Sequence, residues 1–201
     1  MTSTERITGV VLAGGHGVRL GRPKAGILLQ GRPLLEHVLD ALVHVAADIT
    51  VVRSALVPLP AIHHPGVEVL VDEAADEGPL RALATAFTHV QSGLVAAVGC
   101  DMPFINPALI LKLATLMDGH DAAVPVVEGR KQPLHAVYRA SVAAVAATNA
   151  LGAANRSVVG FLDRMQVRWV DRPEWETVDP TGQSFFNINT PEDLALAASL
   201  T

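Results

Sequence analysis

A glycine-rich loop carrying two cations follows the first apolar run of this chain. The segment Val10–Lys24 reads VVLAGGHGVRLGRPK. Because glycine has no Cβ, its backbone N–H groups can approach a polyanion closely and turn toward it, and Arg19 and Lys24 would add positive charge against a triphosphate. A first βα loop is often glycine-rich only because the chain turns there, but the two cations at this spacing favour phosphate binding. The glycines of the loop are Gly14, Gly15, Gly17 and Gly21.

Two well-known phosphate-binding motifs do not fit this loop. The P-loop pattern G-x-x-x-x-G-K-[ST] fails because Lys24 follows Pro23 and precedes Ala25. The dinucleotide-binding pattern G-x-G-x-x-G fails because Leu20 stands where its last glycine belongs. The sequence therefore supports neither a P-loop hydrolase nor a dinucleotide-binding dehydrogenase.

A carboxylate stands just beyond another apolar run, Leu94–Gly99, which is followed by Cys100 and Asp101. In open α/β sheets ligands bind beyond the carboxyl ends of the strands, and a carboxylate at such an end is well placed to hold Mg²⁺ against phosphate oxygens. The structural alternative is a turn or cap aspartate that faces solvent. Asp72 also follows an apolar run, Val67–Val71, although on its own it is more typical of a turn or cap.

Short apolar runs alternate with longer helical patterns, which is typical of a parallel sheet covered on both faces by helices. Each run is nearly continuous in apolar residues, so we expect the strands to be buried on both faces. The predicted strands are Ile7–Ala13, Asp48–Val52, Val67–Val71, Leu94–Gly99 and Ala122–Val126. The predicted helices are Pro33–Val45, Pro79–Val90, Pro107–Met117 and Ser141–Ala150.

The pattern is less regular in the last third of the chain. Pro133–Arg139 and Val167–Val170 predict two further strands, which we expect to add mixed pairing at the sheet edge. Arg172–Gln183 contains two prolines and a glycine and predicts an exposed loop. Thr190–Asp193 has the spacing of a capping box before a last helix. The expected architecture is a single domain over residues 1–201, with three α/β/α layers and a mostly parallel sheet with mixed edge strands.

Composition and charge exclude several classes of protein. Half of the 201 residues are hydrophobic and the net charge is −5. This high apolar content and small net charge argue against a disordered chain. No cluster of Lys or Arg forms a basic stripe, so a nucleic-acid partner is not expected. The single cysteine, Cys100, has no disulfide partner within the chain. Charged residues, prolines or glycines break every long apolar run and the N-terminus lacks signal-peptide order, so we expect no membrane span and a cytoplasmic protein.

Taken together, these motifs resemble those of the nucleotidyltransferases that attach a nucleoside monophosphate to molybdopterin or to sugar phosphates. The chain is most similar to molybdenum cofactor guanylyltransferases of the MobA type, and the resemblance covers roughly residues 7–197. The combination is more specific than any single motif. The motifs are Leu12-Ala13-Gly14-Gly15, Arg19-Leu20-Gly21, Lys24-Ala25, Gly31–Leu35, Asp72, Gly78-Pro79-Leu80, Cys100–Phe104, Gln132–Tyr138 and Phe186–Asp193.

The resemblance implies a Rossmann-like nucleotidyltransferase fold and transfer of GMP from GTP to molybdenum-bearing molybdopterin, with Mg²⁺ as cofactor. Molybdoenzymes or proteins of the same pathway are the implied protein partners. Catalytic roles fall to Arg19, Lys24 and Asp101, and Asp101 is also the implied metal ligand. Asn187 and Asn189 are implied to close the acceptor side against a pterin or phosphate. The implied nucleotide-binding residues are Leu12, Ala13, Gly14, Gly15, Lys24, Asp72, Gly78, Pro79, Leu80 and Asp101.

Three places depart from the usual pattern of that family. Val18 stands where a second arginine is typical, and Arg53 stands where an asparagine often contacts the nucleotide. Arg53 could bind phosphate instead or could simply be exposed. Arg81 and Ala82 follow the Gly-Pro-Leu segment, where a small residue and then glycine are usual. Two alternatives therefore stay open: cytidylyl or other nucleotidyl transfer to molybdopterin or a sugar phosphate, and a non-catalytic homologue that binds molybdopterin.

Overall fold

The structure, a computed structural model, describes residues 5–15, 17–73, 78–153 and 157–200, and it is organised around one large sheet. The strands are β1 (Ile7–Leu12), β2 (Leu28–Leu29), β3 (Arg32–Pro33), β4 (Asp48–Ser54), β5 (Val67–Asp72), β6 (Leu94–Gly99), β7 (Ala122–Val127), β8 (Arg130–Lys131), β9 (His135–Arg139) and β10 (Val167–Val170). The α-helices are α1 (Leu34–Leu42), α2 (Pro79–Val90), α3 (Pro107–Thr115), α4 (Ala140–Leu151), α5 (Val158–Leu162), α6 (Arg172–Trp175) and α7 (Pro191–Ser199).

The eight-stranded sheet has the order β10-β7-β9-β6-β1-β4-β5, with β8 paired to β7. From β6 to β5 all neighbours are parallel, and β10 is parallel to β7, as a mostly parallel sheet requires. The antiparallel strand β9 lies inside the sheet between β6 and β7, rather than at the edge where mixed pairing was expected. The short connection from β7 to β9 explains the antiparallel pairing of these two strands, because parallel neighbours need a longer crossover.

Helices cover the two faces of the sheet and complete the three layers. The core on one face includes residues of α1, α3 and α6, and the core on the other includes residues of α2, α4 and α5. Successive strand residues alternate between these cores, so Val11 packs toward the first and Leu12 toward the second. In the second core the ring of Phe87 lies 5.3 Å from that of Tyr138 and 5.9 Å from that of Phe161. The predicted fold class is confirmed.

The helices begin and end close to where the sequence places them. α2 matches its predicted range, while α1 is shorter than Pro33–Val45. The capping box before α7 is present, because Thr190 Oγ1 accepts from Asp193 N and the Asp193 carboxylate accepts from Thr190 N. Within the described ranges, none of the helices combines the length and the apolar character needed to cross a bilayer.

The outermost strand, β5, corrects one expectation about burial. Val67–Val71 is predicted to be buried on both faces, yet Val69 is 40% exposed and Glu68 is also exposed. Since β5 has a strand neighbour on one side only, much of it stays open to solvent. An apolar run alone does not reveal whether its strand lies at the centre or the edge.

The segment Arg172–Gln183 is not the exposed loop that its prolines and glycine predict. It contains α6, and Trp175 at the end of that helix is only 4% exposed. The indole N–H donates to the carbonyl of Val126 at 3.1 Å, and the ring packs edge-on against Phe185. Turn-forming residues predict the bends of this segment correctly but carry no information about the long-range packing of a tryptophan.

His135, the first residue of β9, is fully buried, and neither ring nitrogen has a hydrogen-bond partner among the described residues. Its ring lies 5.1 Å from that of Phe185, measured between centroids. Burial penalises the charged imidazolium and lowers the pKa of His135 to about 4, although the negative charge of Asp179 opposes this shift. The imidazole is therefore neutral at pH 7.

The free energy of unfolding should fall as the pH is lowered from 6.5 toward 4, because the unfolded chain gains a proton on His135 that the folded protein excludes. This shift in pKa corresponds to a loss of about 3 kcal/mol in the free energy of unfolding at the acid end of that window. Urea unfolding across this range measures it, and His135→Leu should remove this part of the pH dependence. If the free energy of unfolding changes equally with pH in both proteins, the lowered pKa of His135 is contradicted.

Candidate active site

The carboxyl ends of the parallel strands border one cavity of about 370 Å³, a volume suited to a small molecule. Strands β1 and β6 end side by side, with Leu12 opposite Gly99. On the other side of β1, Ser54 at the end of β4 lies opposite Asp72 at the end of β5. All four of these residues line the cavity. The topology therefore gathers residues from four separate strands at one edge of the sheet.

Most of the predicted nucleotide-binding residues line this cavity. The exceptions are Ala13 and Leu80, whose side chains are buried in the two cores, so the structure does not bring them into the cavity. Contact with a nucleotide stays a prediction for the whole set. The predicted residues that do line the cavity are Leu12, Gly14, Gly15, Lys24, Asp72, Gly78, Pro79 and Asp101.

A lysine bridges a carboxylate and an amide at one end of the cavity. The ammonium of Lys24 donates to Asp101 Oδ2 at 2.6 Å and to Asn189 Oδ1 at 2.5 Å. The side chains of Lys24 and Asp101 are only 19% and 18% exposed, so solvent screens their attraction less than at an open surface. Three of the predicted functional residues, distant in the sequence, thus meet at one point.

The loop after β1 is shaped by its glycines. Gly17 has φ +60°, and a Cβ there would lie 2.0 Å from the carbonyl oxygen of Arg22. The chain turns back so that Lys24 N donates to the carbonyl of Gly15 at 3.3 Å. Gly15 faces the stem of Lys24, which a Cβ at Gly15 would meet at 3.5 Å. The turn at Gly17 therefore places Lys24 beside the cavity.

Arg19 does not join the Lys24 cluster. It lies exposed in the short 3-10 turn Val18–Leu20, and no ion pair of its side chain is found within the described residues. It does not line the cavity. The side chain of Val18 lies outside the described ones. The effect of having valine there, where the family typically has a second arginine, stays a prediction.

Five cavity residues were not among the predicted nucleotide-binding residues. Gly99 leaves space for the carboxylate of Asp101, because a Cβ at Gly99 would lie 2.5 Å from Asp101 Oδ1. Cys100 is buried, and this burial raises the pKa of its thiol, so it is no candidate nucleophile. Ser54 could have been found by the rule that points to Asp101, since it also ends a strand. The five residues are Ser54, Ala82, Gly99, Cys100 and Leu134.

Comparison with known proteins identifies the family. Residues 9–168 match the model of the MobA-like NTP transferase domain. This chain belongs to that family. Two relatives named probable molybdenum cofactor guanylyltransferase, from Bacillus cytotoxicus and Natronomonas pharaonis, are 32% and 34% identical to it. The alignments cover 94% of this chain in both cases, and 94% and 96% of the relatives.

Solved structures agree with this assignment. A molybdopterin-guanine dinucleotide biosynthesis protein A from Archaeoglobus fulgidus superposes with a TM-score of 0.79 at 27% identity, covering 96% of this chain and 97% of the other. A 2-C-methyl-D-erythritol 4-phosphate cytidylyltransferase from Thermus thermophilus gives 0.72 at 21% identity, covering 97% and 98%. The second likeness concerns the fold alone.

Arg53, the second departure from the MobA-like pattern, contacts its own turn. Arg53 Nη1 donates to the carbonyl oxygens of Ser54, Ala55 and Val57 at 3.1 to 3.4 Å. Arg53 therefore fixes the turn that follows β4 and is not simply exposed, while phosphate binding by Arg53 stays one of the two alternatives. 

Arg81 and Ala82, in the first turn of α2, make up the remaining departure. Arg81 Nε lies 3.8 Å from Asp72 Oδ1, so it adds a positive charge beside a predicted nucleotide contact. Ala82 lines the cavity where the family usually has glycine. Gly78 precedes this helix with φ +81°, a conformation that favours glycine.

The acceptor-side residues lie beyond residue 168, outside the segment that the family model matches. Asn189 contacts Lys24, whereas the amide of Asn187 donates to the carbonyl of Phe185 at 2.9 Å. The half-buried rings of Phe104 and Phe186 lie 6.0 Å apart, packed against a small third cluster of buried residues. The structure thus separates the two asparagines that the sequence treats alike.

Metal donors at this site are few. Among residues 5–15, 17–73, 78–153 and 157–200, no three His, Cys, Asp or Glu side chains are grouped as a metal site. Such grouping is not needed for Mg²⁺, which is usually held by one or two carboxylates together with water and substrate phosphates. The Asp101 carboxylate at the cavity fits that mode of binding.

Gly17→Ala should destabilise the protein by about 1–3 kcal/mol, because it combines left-handed backbone with a clash against Arg22. Gly26→Ala is the matched control, since Gly26 lies nearby without a positive φ and a Cβ there meets nothing within 4 Å. Urea unfolding of both variants measures the difference. Equal midpoints for the two variants would contradict the described loop conformation.

Proposed function

We propose that this chain, acting as one nucleotidyltransferase domain, transfers GMP from GTP to molybdenum-bearing molybdopterin. The products are molybdopterin guanine dinucleotide and pyrophosphate. The observation that carries the proposal is the contact of Lys24 with Asp101 beside a cavity bordered by a glycine loop. It is supported by the names of the full-length relatives, which are those of guanylyltransferases.

The reaction needs no covalent intermediate on the protein. A terminal phosphate oxygen of molybdopterin attacks the α-phosphorus of GTP and forms a new P–O bond. The bond from the α-phosphorus to the oxygen that bridges it to the β-phosphorus breaks, and pyrophosphate leaves with that electron pair. The residues of the chain then have to hold two polyanions in line and stabilise the charge that moves to the leaving group.

Positive charge at the phosphates comes from the loop after β1. Lys24 stands beside Asp101 and would donate to phosphate oxygens once a nucleotide fills the cavity. Gly14 and Gly15 line the same space, and backbone N–H groups of such a glycine loop can donate to phosphate oxygens. Arg19, exposed on the loop, is the second predicted cation, and it would have to turn toward the triphosphate.

Asp101 would hold Mg²⁺ through its carboxylate. When bound there, the ion would supply Lewis-acid neutralisation of the phosphate oxygens. Gly78 and Pro79, at the amino end of the twelve-residue helix α2, line the same cavity and are implied nucleotide contacts. On the acceptor side, Asn187 offers an amide to a pterin or phosphate.

Asp101→Asn should lower the rate of pyrophosphate release by about 100-fold or more, because a charge that stabilises the reacting phosphates through the metal is removed. A coupled pyrophosphate assay with GTP and molybdopterin measures this rate. Asp118→Asn makes the same chemical change at an exposed position and serves as control. Normal turnover by Asp101→Asn would show that the role of this residue is assigned wrongly.

Calorimetric titration with GTP, CTP, ATP and UTP tests the choice of base. We expect GTP to bind most tightly, because the full-length relatives are named guanylyltransferases. A clear preference for CTP would instead favour cytidylyl transfer. Binding of molybdopterin without pyrophosphate release from GTP would favour the non-catalytic alternative.

A further inference from the structure

Asn189 faces the nucleotide side of the site. Its Oδ1 accepts from the ammonium of Lys24 at 2.5 Å, and the same ammonium donates to Asp101 Oδ2 at 2.6 Å. An amide oxygen accepts a hydrogen bond without adding negative charge. Asn189 therefore fixes the lysine beside a phosphate site without reducing its positive charge, which a carboxylate in that position would do.

The backbone around Asn189 is itself held from two sides. Ile188 N donates to the carbonyl of Asp101 at 2.9 Å, and Asn189 N donates to Asp193 Oδ2 at 2.9 Å. The backbone N–H of Asn189 is also the main reason that the pKa of Asp193 lies below its usual range, so the carboxylate stays charged. Asp193 of the capping box of α7 thus holds the backbone of Asn189, whose side chain in turn holds Lys24.

We propose that Asn189 is a positioning residue for Lys24, and that it holds the lysine ammonium at the phosphate end of the nucleotide cavity. This inference rests on the proposed function, because it concerns the binding of a nucleoside triphosphate. It gives Asn189 a role in the nucleotide half of the site, whereas the resemblance implies a role toward the acceptor.

The physical reason is the freedom of a lysine side chain. A free lysine samples many rotamers, and ordering it on a phosphate costs conformational entropy. Contacts that order it beforehand reduce this cost at the moment of binding. When Asp101 engages a metal ion, the neutral Asn189 still holds the ammonium. Among the described residues Lys24 contacts Asn189 and not Asn187, whose amide N–H donates instead to the carbonyl of Phe185.

The test is calorimetric binding of GTP with Mg²⁺ in the absence of any acceptor. Asn189→Ala should weaken this binding by about tenfold, the size expected for losing a hydrogen bond to a charged group. Asn149→Ala removes the same amide at an exposed position of α4 and should change the binding of GTP by less than about twofold. A role of Asn189 toward the acceptor alone would leave GTP binding unchanged in both variants.

A double-mutant cycle shows whether Asn189 acts through Lys24. Lys24→Met and the double variant Lys24→Met/Asn189→Ala are titrated with GTP at protein concentrations that suit weaker binding. If Asn189 acts through the lysine, its removal has no further effect once the lysine is gone. Additive losses would show that Asn189 acts on the nucleotide directly and would overturn the proposal.

The outcomes also separate this inference from the proposed function. If the wild-type protein binds no nucleoside triphosphate, the proposed function itself is wrong. If the wild-type protein and Asn189→Ala bind GTP equally tightly, only the positioning role of Asn189 is wrong. Thermal unfolding checks that each variant folds, and Asn189→Leu, close in volume but without an acceptor, provides the same test if Asn189→Ala does not fold.

Discussion

The contact between Lys24 and Asp101 is the interaction on which the site depends. It joins the loop that follows β1 to the second residue after β6, and the two side chains touch at 2.6 Å with little exposure. The attraction in a shielded ion pair offsets the cost of desolvation only when its geometry is good, so the backbone on both sides matters. On one side Gly17 provides the turn that no other residue fits, and on the other Gly99 leaves room for the carboxylate.

The sheet explains why these two segments meet. β1 and β6 are parallel neighbours, buried along their whole length, so their carboxyl ends must leave the core at the same edge. The same constraint brings Ser54 and Asp72 to that edge. The antiparallel β9 reaches it from the opposite direction, and therefore contributes Leu134, from just before its first residue, to the cavity. A mixed sheet thus supplies residues from both kinds of strand.

Sequence patterns predict this part of the protein well because they report on local chemistry. A buried strand that ends in Asp101, and a glycine loop that ends in Lys24, each carry their signal within a few residues. Arg53 and Trp175 carry no such signal. The contacts of Arg53 with the carbonyls of Ser54, Ala55 and Val57 depend on how the chain turns after β4. The burial of Trp175 depends on Val126 and Phe185, distant in the sequence and adjacent only after folding.

The two asparagines before α7 show the same limit most clearly. Their spacing places Asn187 and Asn189 on the same side of an extended segment, and a pattern cannot distinguish them. The structure does so through two backbone bonds, from Ile188 to the carbonyl of Asp101 and from Asn189 to Asp193. The first bond docks the last segment of the chain beside the end of β6, and the second fixes that segment to the start of α7. The segment predicted to face the acceptor therefore contacts Lys24 and Asp101, which are predicted to bind the nucleotide.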